Sequence, residues 1–267
     1  MRRTMALEDI HDIRVLGAGA DTVVLSHGFG CNQTVWQPIA DGLASSFRLV
    51  LFDLMGCNRR SAAVFNAGTH RHLDAFATDL IAVLEHVDAG PVSYVGHSMS
   101  GMIGVLASIR RPDLFRKLVL IEPSPCYLNV DGYKGGFEKE DLEGIFDAAR
   151  HNYVSWTQRF APFIVGSAPS SAATGEFSRG LLAMQPDIAL SMLVTIFTSD
   201  VRSRLPLVGT PTVVVQSIRD PAVPMEVAEF IRDSIPDCQL EIAEAEGHLP
   251  HLTEPDLMLG ILRRHLP

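Results

Sequence analysis

The chain has 267 residues, of which 47% are hydrophobic, so it is long enough to bury a large core in one α/β domain with an insertion or in two domains. Its formal net charge of −9 argues against nucleic acid and against a membrane surface as partners, since both favour basic patches. Four cysteines without Cys-x-x-Cys spacing argue against a zinc site or a disulfide framework. The basic start Met1-Arg2-Arg3 is not followed by an apolar run, so no secretory signal is predicted and we expect a cytoplasmic protein.

Short apolar runs rich in β-formers alternate with segments of helical period along most of the chain. Strands are predicted at residues 22–26, 48–52, 92–95, 118–121, 212–216 and 240–243. An amphipathic helix is predicted over residues 73–87, and a closing helix over residues 255–266. This alternation predicts an α/β fold whose mostly parallel sheet is connected by crossover helices.

The strand pattern disappears between Cys126 and Asp200, where four short amphipathic segments follow one another. A helical insertion at this point is well placed to cover the carboxyl ends of the strands, where ligands bind in open α/β sheets. We therefore expect a core formed by residues 1–125 and 201–267 and a helical lid formed by residues 126–200.

The segment around Ser98 has the pattern of a nucleophile elbow. An apolar strand runs into Gly96-His97-Ser98-Met99-Ser100 and then into a helical segment. Small neighbours at Gly96 and Ser100 allow the serine a strained turn that raises its hydroxyl above the sheet edge. The last position of the usual Gly-x-Ser-x-Gly pattern is Ser100 here, and a tight turn with an incidental serine is the alternative interpretation.

A serine hydroxyl needs a base and a third group that orients the base. Asp220 follows the strand predicted at residues 212–216, and His248 follows the strand at residues 240–243. The chain order Ser98, Asp220, His248 is the order of an α/β-hydrolase triad. His248 would take the proton of Ser98, and Asp220 would hold the imidazole in the correct tautomer.

Other residues near these strand ends offer alternatives to the triad. Glu122 also follows a strand and is a rival to Asp220 for orienting His248. Strand alternation directs His97 away from the site. His248 and His251 form only a weak metal pair without a third ligand at suitable spacing, so neither a metal nor a zinc hydrolase is predicted.

The glycine-containing loop at residues 26–30 follows the first predicted strand. It is typical of loops that lend backbone amides to an oxyanion hole, and we expect the N–H groups of Phe29 and Met99 to be the two donors. A plain glycine turn is the alternative. Neither this loop nor residues 53–56 has the Gly-x-Gly-x-x-Gly fingerprint, so no nucleotide or other organic cofactor is predicted.

With these residues in place, the chain resembles the α/β-hydrolase subgroup that contains the bacterial stress-response regulator RsbQ and the plant karrikin and strigolactone receptors. The resemblance runs almost end to end. It is carried by the segments GFGCNQTVW, YVGHSMSGMIGVLASIRRPDLF, PSPCYLN, GGFEKEDL, EFSRGLLAMQPDIAL and EGHLPHL. It implies a triad at Ser98, Asp220 and His248 under a four-helix lid. The implied pocket lining is Phe29, Phe137, Trp156, Phe160, Ile196 and Phe197.

Members of this subgroup either hydrolyse small esters or lactones slowly, or bind a small hydrophobic ligand and signal to a protein partner. Our first hypothesis is therefore a serine hydrolase that cleaves a small, largely apolar ester or lactone through an acyl-enzyme. The second is a ligand receptor with a signalling protein partner, and the third is a lyase or cofactor-free oxygenase with the same triad. The chain departs from the subgroup at Glu122-Pro123 and in residues 57–70, and its lid positions differ enough that the ligand identity does not carry over.

Overall fold

The structure is a computed structural model that describes residues 5–267. The basic start Met1-Arg2-Arg3, for which no secretory signal is predicted, lies outside the described residues. In the described part of the chain, seven strands form one sheet. They are β1 Arg14–Leu16, β2 Thr22–Ser26, β3 Arg48–Phe52, β4 Val92–His97, β5 Phe115–Ile121, β6 Thr212–Arg219 and β7 Cys238–Glu246.

Helices connect the strands and fill the longer insertion. They are α1 Leu7–His11, α2 Gln37–Leu43, α3 Arg59–Ala62, α4 Leu73–His86, α5 Met99–Arg110, α6 Lys139–His151, α7 Tyr153–Val165, α8 Ala172–Ala183, α9 Pro186–Phe197, α10 Met225–Ser234, α11 Pro250–Thr253 and α12 Pro255–His265. Short 3-10 helices span Gln33–Trp36, Pro112–Leu114 and Arg202–Leu207. Within residues 5–267 no single helix is long and apolar enough to cross a bilayer, although α8 and α9 together meet that test across a bend of 109°.

The sheet has the strand order β1-β3-β2-β4-β5-β6-β7, and β1 alone runs antiparallel to its neighbour. Every residue of the central strands β2 and β4 is buried, as expected for parallel strands covered by helices on both faces. On α4, the buried residues Leu73, Phe76, Leu80 and Leu84 recur at helical spacing and form the face that packs inward. Because β2, β4, β5, β6 and β7 run parallel to one another, their carboxyl ends lie at the same edge of the sheet.

The helices α6 to α9 interrupt the core between β5 and β6. An isolated antiparallel bridge between Cys126 and Asp200 joins the two ends of this insertion, and the N–H of Val201 donates to the carbonyl of Pro125 at 2.8 Å. Glu138 and Asp141 form a capping box at the start of α6, and Gly166 ends α7 in a left-handed conformation. The insertion thus leaves and re-enters the core at one point.

The six strands predicted from the sequence are all present, and several extend further than predicted. The strand β5 starts at Phe115, β6 continues to Arg219, and β7 spans Cys238–Glu246. The strand β1 was not predicted, because its three residues are all exposed and carry no alternating pattern. The helices predicted over residues 73–87 and 255–266 correspond to α4 and α12.

Candidate active site

Ser98 occupies a strained turn between β4 and α5. Its backbone angles are φ 55° and ψ −122°, a conformation that non-glycine residues rarely adopt. The turn depends on Gly96, because a Cβ atom there would lie 2.6 Å from the carbonyl oxygen of Ser100. The N–H of Ser98 donates to the carbonyl of Ile121 at 2.8 Å, which anchors the turn to β5. This is the local geometry of a nucleophile elbow.

Ser100 stands where the usual elbow pattern has a second glycine, and its side chain has partners. Its hydroxyl donates to the carbonyl of His27 at 2.6 Å and accepts from the hydroxyl of Ser26 at 3.0 Å. Its carbonyl accepts from the hydroxyl of Tyr94 at 2.8 Å. The departure from the pattern therefore ties the start of α5 to the loop after β2.

The structure brings Ser98, Asp220 and His248 together in one hydrogen-bonded chain. The Oγ of Ser98 lies 2.9 Å from Nε2 of His248, and Oδ2 of Asp220 lies 2.7 Å from Nδ1. Since an ionised carboxylate only accepts, Nδ1 carries the proton and Nε2 is free to accept from Ser98. The side chains of Asp220 and His248 are 0% and 8% exposed, so the hydrogen bond between them is shielded from water.

Asp220 is fixed by backbone donors as well as by the imidazole. Its Oδ1 accepts from the N–H groups of Ala222 at 2.7 Å and Val223 at 3.2 Å. Burial by itself would raise the pKa of Asp220, but the attraction of His248 and the hydrogen bonds it receives hold that pKa below its ordinary value. Asp220 is therefore ionised at neutral pH and able to stabilise an imidazolium.

Two further histidines lie behind His248. The Nε2–H of His97 donates to the backbone carbonyl of His248 at 2.7 Å, and the His97 ring lies 4.4 Å from that of His251. His251 also stacks on Trp36 at 4.4 Å. Burial, followed by the neighbouring histidines, lowers the pKa of His97 well below its ordinary value and that of His251 to about 3. Both rings are thus neutral and hold the loop that carries His248.

The two expected oxyanion donors lie beside Ser98. Met99 is the first residue of α5, where N–H groups have no intrahelical partner, and Phe29 lines the cavity over Ser98. A Cβ atom on Gly28 would lie 2.5 Å from Nδ1 of His97 and 3.2 Å from Cβ of Ser98, so only glycine allows this loop to approach the serine. The arrangement suits two amides directed at a developing oxyanion.

A narrow and largely apolar cavity opens over Ser98. Its lining residues come from the core loops and from α7, α8 and α9. They are Phe29, His97, Ser98, Tyr127, Phe160, Ile164, Phe177, Ile196, Phe197, Ala222, His248 and Leu249. Four of the pocket residues expected from the sequence, Phe29, Phe160, Ile196 and Phe197, are among them.

The other two expected pocket residues, Phe137 and Trp156, do not line this cavity. Both are buried, and both line a separate surface groove, to which Phe160 also contributes. Trp156 stacks on Phe160 at 4.5 Å, and Phe137 packs edge-on against Phe197 at 5.3 Å. They therefore support residues of the cavity wall, which corrects the expectation of direct lining.

Tyr127 is a site residue that the sequence analysis missed. Its hydroxyl lies 3.4 Å from Oγ of Ser98, and its ring packs 4.8 Å from that of Phe197. Burial raises the pKa of this phenol above its ordinary value, so the group is a neutral O–H donor. The available signal was its position shortly after β5, in a segment that carries the family resemblance.

The rival acid Glu122 lies in the site but does not take the place of Asp220. Glu122, Asp220 and His248 each contribute one atom to a group within 4.8 Å, the candidate metal cluster found in residues 5–267. Within this group, Asp220 and the Nδ1 of His248 are already paired with each other at 2.7 Å. A metal would have to break that hydrogen bond, so this donor set fits proton handling better than metal binding. His251 is outside the group, with its ring stacked on Trp36.

Comparison with known proteins identifies the family. The family described as alpha/beta hydrolase fold matches residues 21–255, and the chain belongs to it. The chain is 45% identical over 261 residues to karrikin insensitive 2 receptor CA of Petunia hybrida, with 97% of each chain covered. It is 42% identical over 257 residues to strigolactone esterase D14 of Arabidopsis thaliana, with 96% of each covered.

A solved structure of a hydrolase has the same fold over nearly the whole chain. A hydrolase from Oleispira antarctica superposes with a TM-score of 0.92 at 33% identity, covering 98% of this chain and 97% of that one. The predicted fold class and the resemblance to karrikin and strigolactone receptors are thereby confirmed. Because relatives carry both esterase and receptor names, the hydrolase and receptor hypotheses both fit the family.

Proposed function

We propose that this protein is a serine hydrolase that cleaves a small, largely apolar ester or lactone through an acyl-enzyme on Ser98. The observation that carries the proposal is the chain of hydrogen bonds from Ser98 through His248 to Asp220, at 2.9 and 2.7 Å, beneath an apolar cavity. The relative named strigolactone esterase D14 supports the same reaction class.

The proposed reaction follows from the positions of the groups. The Oγ of Ser98 attacks the substrate carbonyl while Nε2 of His248 takes its proton, and Asp220 stabilises the imidazolium that forms. The amides of Phe29 and Met99 bind the oxygen that becomes negative. The proton then passes to the leaving alkoxide, and water activated by His248 releases the acid from Ser98.

Residues 126–200 are proposed to act as a lid over residues 5–125 and 201–267. Support comes from the cavity wall, to which α7, α8 and α9 contribute Phe160, Ile164, Phe177, Ile196 and Phe197. The bridge between Cys126 and Asp200 holds the two ends of this segment together where it meets the core. The apolar wall favours a substrate or ligand with little charge. The free thiols of all four cysteines support a cytoplasmic location.

The second candidate function is a receptor for a small hydrophobic ligand, with a signalling protein as partner. It is favoured by the 45% identity to karrikin insensitive 2 receptor CA and by the apolar cavity beneath the helices α7, α8 and α9. In this function hydrolysis is slow, and ligand binding changes the position or stability of the lid.

A time course of p-nitrophenyl acetate hydrolysis at high enzyme concentration separates the two functions. Wild type, Ser98→Ala and the control Ser203→Ala, at an exposed position, are compared. Sustained turnover that only Ser98→Ala abolishes supports the hydrolase. A burst of one equivalent followed by near silence supports the receptor, and a ligand-dependent rise in Tm then identifies its ligand. Hydrolysis retained in Ser98→Ala removes Ser98 from the mechanism.

A further inference from the structure

A buried glutamate lies beside the triad, and the mechanism above gives it no role. Glu122 follows β5 directly, is 0% exposed, and has a φ of 49°. A non-glycine residue pays a strain cost in this left-handed region, and a carboxyl group pays a further cost when it leaves water. Glycine at this position would avoid both costs, so the side chain needs an explanation.

One oxygen of this carboxyl group has a structural task. The Oε1 of Glu122 accepts from the N–H of Ser217 at 2.8 Å and from its hydroxyl at 2.5 Å. The paired residues of β5 and β6 end at Ile121 and Val215. The side chain therefore continues the connection to β6 by two residues after the ladder has ended.

The other oxygen has no hydrogen-bond donor within residues 5–267, and the carboxyl group lies beside the triad. The Oε2 of Glu122 is buried and accepts from no donor in the described residues. One Glu122 oxygen, one Asp220 oxygen and one ring nitrogen of His248 lie within 4.8 Å of one another. Both oxygens of Asp220 already accept hydrogen bonds, from backbone N–H groups and from Nδ1 of His248. Both oxygens of Asp220 thus receive hydrogen bonds, as suits an ionised carboxylate, whereas only one oxygen of Glu122 does so in the described part of the chain.

Two adjacent buried carboxyl groups cannot both be ionised without a second cation, because like charges at this distance repel strongly in a dry site. Burial, followed by the charge of Asp220, raises the pKa of Glu122 well above its ordinary value. The titratable groups around the pair come from several elements. They are Asp220 after β6, His248 after β7, Tyr127 after β5, His97 on β4 and His251 on α11.

We propose that Glu122 is a positioning residue of the triad: its carboxyl group is neutral and donates a hydrogen bond from Oε2 to the carboxylate of Asp220. This inference rests on the hydrolase proposed above. The two carboxyl groups then share one negative charge. The donated bond also draws negative charge of Asp220 away from the imidazole, so Asp220 attracts an imidazolium less strongly than it would alone.

The first test is the pH dependence of kcat/KM for p-nitrophenyl acetate in wild type, Glu122→Gln and Glu122→Gly. Glycine suits the positive φ but removes the donor, so its acid limb is expected to rise by roughly half a pH unit. Glutamine keeps an N–H donor toward Asp220 and an acceptor for Ser217, so its acid limb is expected to stay near that of wild type.

Two outcomes of this test overturn the proposal. If both variants move the acid limb to lower pH, Glu122 is ionised in the native protein and adds negative charge to the site. If neither variant moves the limb while Tm falls, Glu122 only continues the connection between β5 and β6 through Ser217.

An infrared difference spectrum tests the protonation directly and needs no turnover. At neutral pH, wild type is expected to show the band of a protonated carboxylic acid, and Glu122→Gln to lack that band. Its absence in wild type overturns the proposal, even if Glu122→Gly fails to fold. If the band is present but hydrolysis does not depend on Ser98, the protonated carboxyl pair exists and the proposed hydrolase is wrong, so Glu122 has no role in that reaction. If hydrolysis depends on Ser98 but the band is absent, the hydrolase stands and the proposal for Glu122 fails.

Discussion

Replacement of Asp220 by asparagine is expected to remove nearly all hydrolysis without unfolding the protein. The Oδ1 of Asp220 accepts from the N–H groups of Ala222 and Val223, at 2.7 and 3.2 Å. An asparagine oxygen would keep these two donors, which leaves the NH2 group facing Nδ1 of His248. Two donors cannot pair, so the imidazole would move its proton to Nε2.

A proton on Nε2 prevents His248 from accepting the proton of Ser98, now 2.9 Å away. In triads of this type, the wrong tautomer lowers kcat by about 10⁴-fold, which corresponds to roughly 5.5 kcal/mol of activation free energy. Because asparagine fills the same space and keeps both backbone hydrogen bonds, Tm is expected to change by only a few degrees.

The assay is the initial rate of p-nitrophenyl acetate hydrolysis by wild type, Asp220→Asn and a control, Asp131→Asn, in an exposed turn. The control is expected to match wild type. A loss smaller than about tenfold in Asp220→Asn would refute the tautomer argument. It would also leave Glu122, whose carboxyl group is within 4.8 Å, as the acid that orients His248.

Three further predictions concern residues in and around the site, two for activity and one for stability. Gly28→Ala would place a methyl group 2.5 Å from Nδ1 of His97, so kcat/KM is expected to fall roughly 10²-fold, and wild-type kinetics would contradict the close approach. Phe160 lines both the cavity and the surface groove, so Phe160→Ala is expected to raise kcat/KM for octanoate relative to acetate esters; an unchanged ratio would contradict this wall. The pKa of His251 is lowered to about 3, so the unfolded chain binds its proton first and stability falls as pH drops below 6.5. His251→Phe keeps the stack on Trp36 and is expected to flatten that dependence by up to about 1.4 kcal/mol per pH unit, measured by urea unfolding at several pH values.

The sequence located the triad because parallel strands end at a common edge. Ser98, Asp220 and His248 each follow a recognisable apolar strand. Their closeness in space could therefore be predicted without knowing how the side chains pack. The edge strand β1 escaped detection because its three residues are exposed and show no alternation. Periodicity thus reports buried elements and says little about an exposed one.

The pocket was harder to predict than the triad. The helix α7 carries both the buried Trp156 and the exposed Phe163, and spacing does not tell a cavity wall from the residues that support it. Phe160 and Trp156 lie on the same helix and stack on each other, yet only Phe160 reaches the cavity over Ser98. Tyr127 enters the site from an irregular segment after β5, where no period applies.

Glu122 shows a different limit of sequence reasoning. Its position after β5 was visible in the sequence and made it a rival to Asp220. Its protonation state depends on complete burial, on the two donors of Ser217 at one oxygen, and on the nearby Asp220 carboxylate. None of these follows from spacing along the chain.

The central claim is that Ser98 becomes acylated during turnover. The most direct measurement is mass spectrometry of wild type and Ser98→Ala, quenched in acid during p-nitrophenyl acetate hydrolysis and digested to peptides. In wild type, we expect an added acetyl group on the peptide that contains Ser98. In Ser98→Ala, we expect no acetylated residue to accumulate over the same time. Turnover without an adduct on Ser98, or with the adduct on another residue, would contradict the account.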